Sequence, residues 1–157
     1  VLSESFNNPV RLFLGYTVFE ENLNIPLFLV LSYWFGGAFL MACKRLSEKI
    51  FLKDNELIEK YRPSIAKYLI KDLKIHIMIY SILSLIFLFL FFYTIDIFYS
   101  FLSLLFIVLF YDYYNLSIKL ISDIQTPEKL FFNPKYILKI SLFSIFLIII
   151  TLIYESY

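Results

Sequence analysis

The sequence is poor in the residues that build disulfides and most metal sites. It has one cysteine, Cys43, and one histidine, His76, in 157 residues. That count excludes an internal disulfide framework and a cysteine-rich metal site, and a lone histidine supports neither zinc binding nor hydrolysis. The net charge is only +1, so the strong basic excess that indicates nucleic-acid binding is absent and we expect no nucleic-acid partner.

Apolar residues are abundant instead. They make up 61% of the chain, with nineteen Phe, thirteen Tyr and only three Gly, whereas soluble domains are roughly 45 to 50% apolar. This composition predicts an all-α, polytopic membrane helix bundle. The chain begins at Val1 without the pattern of a signal peptide, and we expect it to be the C-terminal part of one longer transmembrane domain.

One apolar stretch ends abruptly in charge. Residues 26–43 carry no charged side chain, and about 18 to 20 helical residues just cross the hydrocarbon core of a bilayer. Lys44, Arg45, Glu48 and Lys49 follow at once. Because residues four apart share a helical face, Lys44 and Glu48 are expected to lie together. The stretch predicts a membrane helix that presents charged groups at one surface.

The first nineteen residues combine spanning length with polar side chains. Glu4, Asn8, Arg11 and Gly15 fall on one face of a continuous helix, and polar residues in membrane helices usually face a bundle interior or a cavity. Pro9 is expected to kink this helix. The alternative is a loop up to Arg11, but the residues that follow are then too few to span.

The hydropathy pattern predicts five spans, at about residues 1–19, 26–43, 75–93, 97–115 and 136–154. The charged segment 44–74 is expected to form a lid of short amphipathic helices over the membrane surface. With this segment in the cytoplasm, every Lys and Arg except Arg11 lies on or near the cytoplasmic side. We therefore expect a bacterial or archaeal inner-membrane protein whose site opens to the cytoplasm.

The charged cluster has two interpretations. Lys44 and Arg45 suit phosphate oxygens, and Glu48 suits a Mg²⁺ ion that also holds phosphates. The simpler interpretation is a rim of snorkelling side chains at a helix end. The acid among the bases and the polar first span favour a phosphate-bearing substrate at the mouth of a membrane cavity.

Four segments resemble a known family: NNPVRLFLG, CKRLSEK, YRPSIAKY and TPEKLFFNPKYI. Together they look like the C-terminal half of the UbiA superfamily of intramembrane prenyltransferases, and most of all its decaprenyl-phosphate phosphoribosyltransferase branch. The resemblance implies five spans of a nine-helix bundle. It departs from that branch at Cys43 and Leu46, where Gly and Arg are usual. The matching positions are Arg11, Gly15, Lys44, Arg45, Glu48, Arg62, Tyr68, Pro127 and Glu128.

The resemblance implies Mg²⁺-dependent transfer from a diphosphate donor to a lipid acceptor, either prenyl transfer or phosphoribosyl transfer to a polyprenyl phosphate. Lys44, Arg45, Arg62 and Arg11 would bind phosphate, and Glu48 would be the catalytic and Mg²⁺-binding residue. Glu4 and Asn8 would line the pocket. The family's first acidic motif belongs to its N-terminal half, so this chain alone is expected to be inactive.

A non-catalytic interpretation remains open. In a helix-bundle subunit or part of a transporter, Glu4, Asn8 and Arg11 would form a polar contact between helices.

Overall fold

A computed structural model of the chain describes residues 1–19, 26–52, 68–119, 124 and 134–155. These residues are almost entirely helical, and no strand occurs among them, which confirms the all-α expectation for this part of the chain. The helices are α1 Leu2–Ser5, α2 Asn7–Phe19, α3 Leu27–Leu52, α4 Ile70–Ile95, α5 Ile97–Ser100, α6 Ser103–Ile118 and α7 Pro134–Glu155.

The first segment is helical but interrupted. Helix α1 ends at Ser5 and α2 begins at Asn7. Pro9 has no N–H to donate to the Ser5 carbonyl four residues earlier, and its ring crowds that carbonyl. The chain therefore restarts the helix at Asn7, which leaves Pro9 in the first turn, where proline is tolerated. The interruption predicted from Pro9 is present, displaced by about one turn toward the beginning of the chain.

Helix α3 extends further than its apolar stretch. It runs from Leu27 to Leu52, so Lys44 to Lys49 lie on its last turns. The predicted lid is therefore shorter than 44–74, because residues 44–52 continue α3 and residues 70–74 open α4. Lys, Arg, Leu and Glu are good helix formers, and the backbone continues through the change in polarity. The rest of the predicted lid, including Arg62, lies mostly outside the described residues.

The later helices begin and end near the predicted positions. Asp96 adopts an extended conformation between α4 and α5, with φ −163° and ψ 150°. The span predicted over 97–115 consists of two helices, because the regular helix is broken between Ser100 and Ser103. Pro134 is the first residue of α7, as expected for a residue whose fixed φ suits the first helical position.

Helices α3 and α4 form an antiparallel pair held at close range by small residues. The Ser32 hydroxyl donates to the Ser84 carbonyl at 3.0 Å, and the Ser84 hydroxyl donates to the Ser32 carbonyl at 3.0 Å. Both serines are buried. One turn along α3, a Cβ on Gly36 would lie 3.2 Å from the Ser84 hydroxyl oxygen. Such small residues let membrane helices approach closely enough for dispersion contacts and interhelical hydrogen bonds.

A hydrophobic core lies at the end of this helix pair where α3 carries its charged residues. Ala42 and Leu46 of α3 and Leu73 and Ile77 of α4 are almost fully buried there. The buried Phe39 ring packs against Phe110 of α6, with ring centroids 4.5 Å apart. Helix α6 is thus fixed against the side of the α3–α4 pair, close to the charged end of α3.

Two helices, α3 and α4, are long and apolar enough to cross a membrane. Only 33% and 22% of their most apolar stretches are buried inside the structure, whereas the core helix of a soluble protein is mostly buried. Contiguous apolar surface of this extent marks a membrane or protein contact. The outward face of α4 illustrates it, with exposed Ile75, Met78, Ile79, Ile82, Ile86 and Phe89.

The serine pair gives a stability prediction. Replacing Ser84 with Ala removes one interhelical hydrogen bond, and we expect a loss of roughly 0.5 to 1.5 kcal/mol in the free energy of unfolding in detergent micelles. Ser32→Ala should cost a similar amount. The matched control is Ser81→Ala, because the Ser81 hydroxyl bonds to Met78 within its own helix. Equal effects at positions 81 and 84 would contradict the proposed role of the pair.

Candidate functional site

Arg45 is the centre of a charged cluster at the C-terminal end of α3. Its Nη1 donates to Oε2 of Glu48 at 2.9 Å, and its Nη2 donates to Oε1 of Glu4 at 2.8 Å. The guanidinium is therefore bound by two carboxylates that come from different helices. The Arg45 side chain is only 11% exposed, so these contacts replace most of its hydration. We call Glu4, Arg45 and Glu48 the charged triad.

Helical spacing explains the contact between Arg45 and Glu48. Glu48 lies three residues after Arg45, a separation that brings side chains together on a helix surface. The i, i+4 spacing predicts instead that Glu48 pairs with Lys44. In the structure Glu48 bonds to Arg45, and Lys44 forms no hydrogen bond or ion pair within the described part of the chain.

The contact between Arg45 and Glu4 depends on how α1 packs against α3. The indole Nε1 of Trp34 donates to the Leu2 carbonyl at 3.3 Å, and the Phe6 ring meets the Trp34 ring edge to face with centroids 5.3 Å apart. These contacts hold α1 on the face of α3 that carries Arg45. Glu4, which lies between Leu2 and Phe6, is thereby brought within reach of the guanidinium.

Asn8 packs against α3 further from the triad. A Cβ on Gly37 would lie 2.2 Å from the Asn8 amide nitrogen, so a side chain at position 37 would push Asn8 away. Gly37 therefore permits this close approach of α2. Asn8 lines a cleft that is separate from the triad, and its predicted role in the phosphate pocket stays a prediction.

This cleft has a volume of about 360 Å³ and lies among α2, α3, α4 and α6. Such a volume is at the small end of the range for ligand pockets. Its walls are mostly apolar, and they follow the uncharged part of α3. The lining includes Asn8, Ser32, Tyr33, Gly37, Leu40, Ser84, Leu88, Phe106 and Phe110. A lipid chain suits it better than a charged group.

Arg11 does not join the triad. Its side chain is exposed, and it forms no hydrogen bond or ion pair with the described residues. The predicted polar face assumed one continuous helix from Glu4 to Arg11. Helix α1 ends at Ser5 and α2 begins at Asn7, so Glu4 and Arg11 lie on two successive helices. The expectation that Arg11 binds phosphate stays a prediction.

The carboxylates of the triad fit only one kind of magnesium site. No group of three or more His, Cys, Asp or Glu side chains is placed to hold a metal within the described ranges. Glu4 and Glu48 are two carboxylates on one guanidinium. Mg²⁺ bound to substrate phosphates usually needs only one or two protein carboxylates. The donor set therefore fits a Mg²⁺ ion that arrives with phosphates, and does not fit an all-protein cage.

Two residues that sequence reasoning gave no site role help to position the triad. Trp34 anchors α1. The sequence marked this residue only by its type, as the one tryptophan of the chain, in the middle of a predicted span. Lys49 donates from Nζ to the Tyr68 carbonyl, which ties the end of α3 to the residues just before α4. A contact to a backbone carbonyl cannot be predicted from residue types, because every residue has such a carbonyl.

Comparison with known proteins adds no further constraint. No family model matches the chain, and no curated protein or solved structure matches it.

The different exposure of the two acids predicts that replacing them lowers the free energy of unfolding by different amounts. Glu48 is 17% exposed and Glu4 is 45% exposed, and ion pairs are worth less where solvent screens them. Glu48→Gln should therefore lower the free energy of unfolding more than Glu4→Gln. Arg45→Met should lower the free energy of unfolding most, by about 1.5 to 3 kcal/mol, because it removes the guanidinium that both acids bind.

The matched control for Arg45→Met is Lys71→Met, which removes a basic side chain from the exposed first turn of α4 and should change stability by about 0.5 kcal/mol or less. Thermal unfolding in one detergent gives all four values. If Arg45→Met and Lys71→Met had equal effects, the triad would contribute nothing to the fold.

Proposed function

We propose that this chain is part of a Mg²⁺-dependent intramembrane transferase of the UbiA type. It would act on a diphosphate donor and a lipid acceptor, by prenyl transfer or by phosphoribosyl transfer to a polyprenyl phosphate. The observation that carries the proposal is the convergence of Glu4, Arg45 and Glu48 at the end of a helix with membrane-spanning length. The polar first segment thus supplies a carboxylate to the charged end of α3.

The proposed membrane arrangement has five spans of a nine-helix bundle. Helices α3 and α4 supply two of them, and the segments around α2, α6 and α7 supply the others. The charged end of α3 faces the cytoplasm, since this orientation satisfies the positive-inside rule. We propose the inner membrane of a bacterium or archaeon as its location. Glu4 and Arg45 then lie at the same membrane surface, as their hydrogen bond requires.

The donor's diphosphate would bind at the charged end of α3. Arg45 presents a planar fork of N–H donors to phosphate oxygens, and Lys44 adds a second cation on the same turn. Glu48 would hold the Mg²⁺ ion that accompanies the diphosphate. Arg62, which lies outside the described residues, would bind phosphate from the segment that follows α3.

The reaction would break the bond between the donor carbon and the diphosphate oxygen and form a bond from that carbon to the acceptor, either to a phosphate oxygen of the polyprenyl phosphate or to an aromatic carbon that then loses its proton to water. The diphosphate leaves with the electron pair, and positive charge develops on the carbon. Fixed cations at the leaving group stabilise this transition state because they are already oriented before the bond breaks. When bound, Mg²⁺ would supply further positive charge at the same oxygens. Arg45 and Lys44 therefore act on the leaving group.

The apolar cleft supports the lipid half of the proposal. It runs beside the uncharged part of α3, and the phosphate-binding residues follow on the same helix. A polyprenyl chain in the cleft would therefore have apolar walls along its length and polar partners near the charged end. The Asn8 amide is the polar group of α2 that lines this cleft.

A second candidate function is a non-catalytic helix-bundle subunit or part of a transporter. The observation that favours it is that two carboxylates already occupy the Arg45 guanidinium. A buried interhelical contact of this kind can serve packing alone. Under this hypothesis the triad contributes to stability, and Arg45 variants that still fold keep full function.

Activity measurements on the complete protein separate the two candidates. The protein is reconstituted with Mg²⁺ and a polyprenyl phosphate or aromatic acceptor, and transfer is followed from labelled prenyl diphosphate or phosphoribosyl diphosphate. Arg45→Ala should lower kcat/KM for the donor by about tenfold or more. Chelation of Mg²⁺ should abolish transfer.

The control for Arg45→Ala is Lys119→Ala, since Lys119 is an exposed base just after α6 and should leave kcat/KM unchanged. An unchanged kcat/KM for folded Arg45→Ala, or no transfer from either donor, would refute the proposed transferase and favour the non-catalytic role.

A further inference from the structure

The triad already uses part of the Arg45 guanidinium. Arg45 donates from Nη1 to Glu48 and from Nη2 to Glu4, which takes two of its five N–H groups. A phosphate that binds a guanidinium in the usual bidentate manner takes two neighbouring N–H groups. A phosphate that binds at the edge held by Glu4 therefore competes with this carboxylate for the Nη2 group.

The two carboxylates differ in how firmly they are placed. Glu48 lies on the same helix as Arg45, three residues away, and is 17% exposed. Glu4 reaches Arg45 from α1 and is 45% exposed, so its side chain can rotate into solvent with little change elsewhere. The other oxygen of Glu4, Oε2, lies 4.0 Å from the Val1 nitrogen, which is too far for a hydrogen bond. Glu4 is thus the carboxylate that an incoming anion displaces at lower cost.

The charge balance points the same way. The Glu4 carboxylate places a negative charge directly beside the Arg45 guanidinium, and this charge repels an anion that approaches the same group. Once Glu4 has turned away, the Nη2 group that it held can donate to the ligand. Removing Glu4 therefore supplies a hydrogen-bond donor and removes a repulsion at the same time.

We infer that Glu4 competes with the phosphate groups of the donor for Arg45, and so sets the affinity of the site. In the resting protein Glu4 satisfies the guanidinium, and a ligand with several negative charges replaces it. This inference rests on the proposed function, because it takes Arg45 to be a phosphate-binding residue. It assigns Glu4 a role opposite to that of a pocket residue that helps to bind the ligand.

Binding of inorganic diphosphate tests the inference without any need to know the full donor. The complete protein in nanodiscs is titrated with inorganic diphosphate at a fixed Mg²⁺ concentration, and heat of binding gives Kd. Glu4→Gln should bind about threefold or more tightly than the wild type, because a competing, partly exposed ion pair is worth a few-fold in an equilibrium constant. Arg45→Ala should bind about tenfold or more weakly.

Asp72→Asn is the matched control. It removes the same charge from the same proposed membrane surface, but Asp72 lies in the first turn of α4 and not on Arg45. Its Kd should equal that of the wild type. A rise in affinity equal to that of Glu4→Gln would show a general charge effect and overturn the inference.

Glu4→Asp is the second variant, for the case in which Glu4→Gln does not fold. It keeps the charge but shortens the side chain by one methylene, which breaks the 2.8 Å contact. It should also bind diphosphate more tightly than the wild type.

The outcomes distinguish this inference from the proposed function. If Arg45→Ala weakens binding and the Glu4 variants bind as the wild type or more weakly, the competition is refuted and the phosphate site stands. If Arg45→Ala binds diphosphate as well as the wild type does, the phosphate site itself is refuted, and the inference fails with it.

Discussion

The constraint on which the site depends is the compensation of a largely buried guanidinium. Arg45 cannot lose its charge, and its side chain is mostly removed from solvent. Without partners the cost of such a group would be several kcal/mol. Glu48 supplies one partner from the same helix, but Glu4 is available only if α1 is placed correctly. The electrostatic requirement of one side chain thus links the first segment of the chain to the end of α3.

Small and aromatic residues make this placement possible. Gly37 admits Asn8, and Trp34 holds α1 through its ring and its N–H group. On the neighbouring face of α3, Ser32 and Gly36 bring α4 to hydrogen-bonding distance of the backbone. One helix therefore carries two close contacts and the charged residues that follow them. A change in helix spacing at either contact would shift the position of Arg45 relative to its partners.

Local rules predicted much of the fold. The lengths of the apolar stretches indicated the helices, and Pro9 predicted the interruption of the first one. The apolar stretch ends at Cys43 whereas α3 runs to Leu52, because hydropathy marks where apolar side chains stop and the helical backbone continues through residues of good helix propensity.

The site could be predicted only in part. Its components Glu4, Arg45 and Glu48 were all named from the sequence, and the structure brings them together. The pairing of Glu48 with Arg45 instead of Lys44 was missed, because both spacings are possible on a helix. The predicted polar face assumed one continuous helix, whereas the helix is interrupted at Phe6, and the phosphate-binding role of Arg11 stays a prediction. Contacts to backbone carbonyls, such as that of Trp34, have no sequence pattern.

The most direct test of the account is an experimental structure of the complete protein with Mg²⁺ and inorganic diphosphate. The account predicts diphosphate oxygens within hydrogen-bonding distance of the Arg45 guanidinium, with Glu48 beside the ion and the Glu4 carboxylate turned away. Diphosphate bound elsewhere, with both carboxylates still on Arg45, would contradict the account and leave the triad as a packing contact between helices.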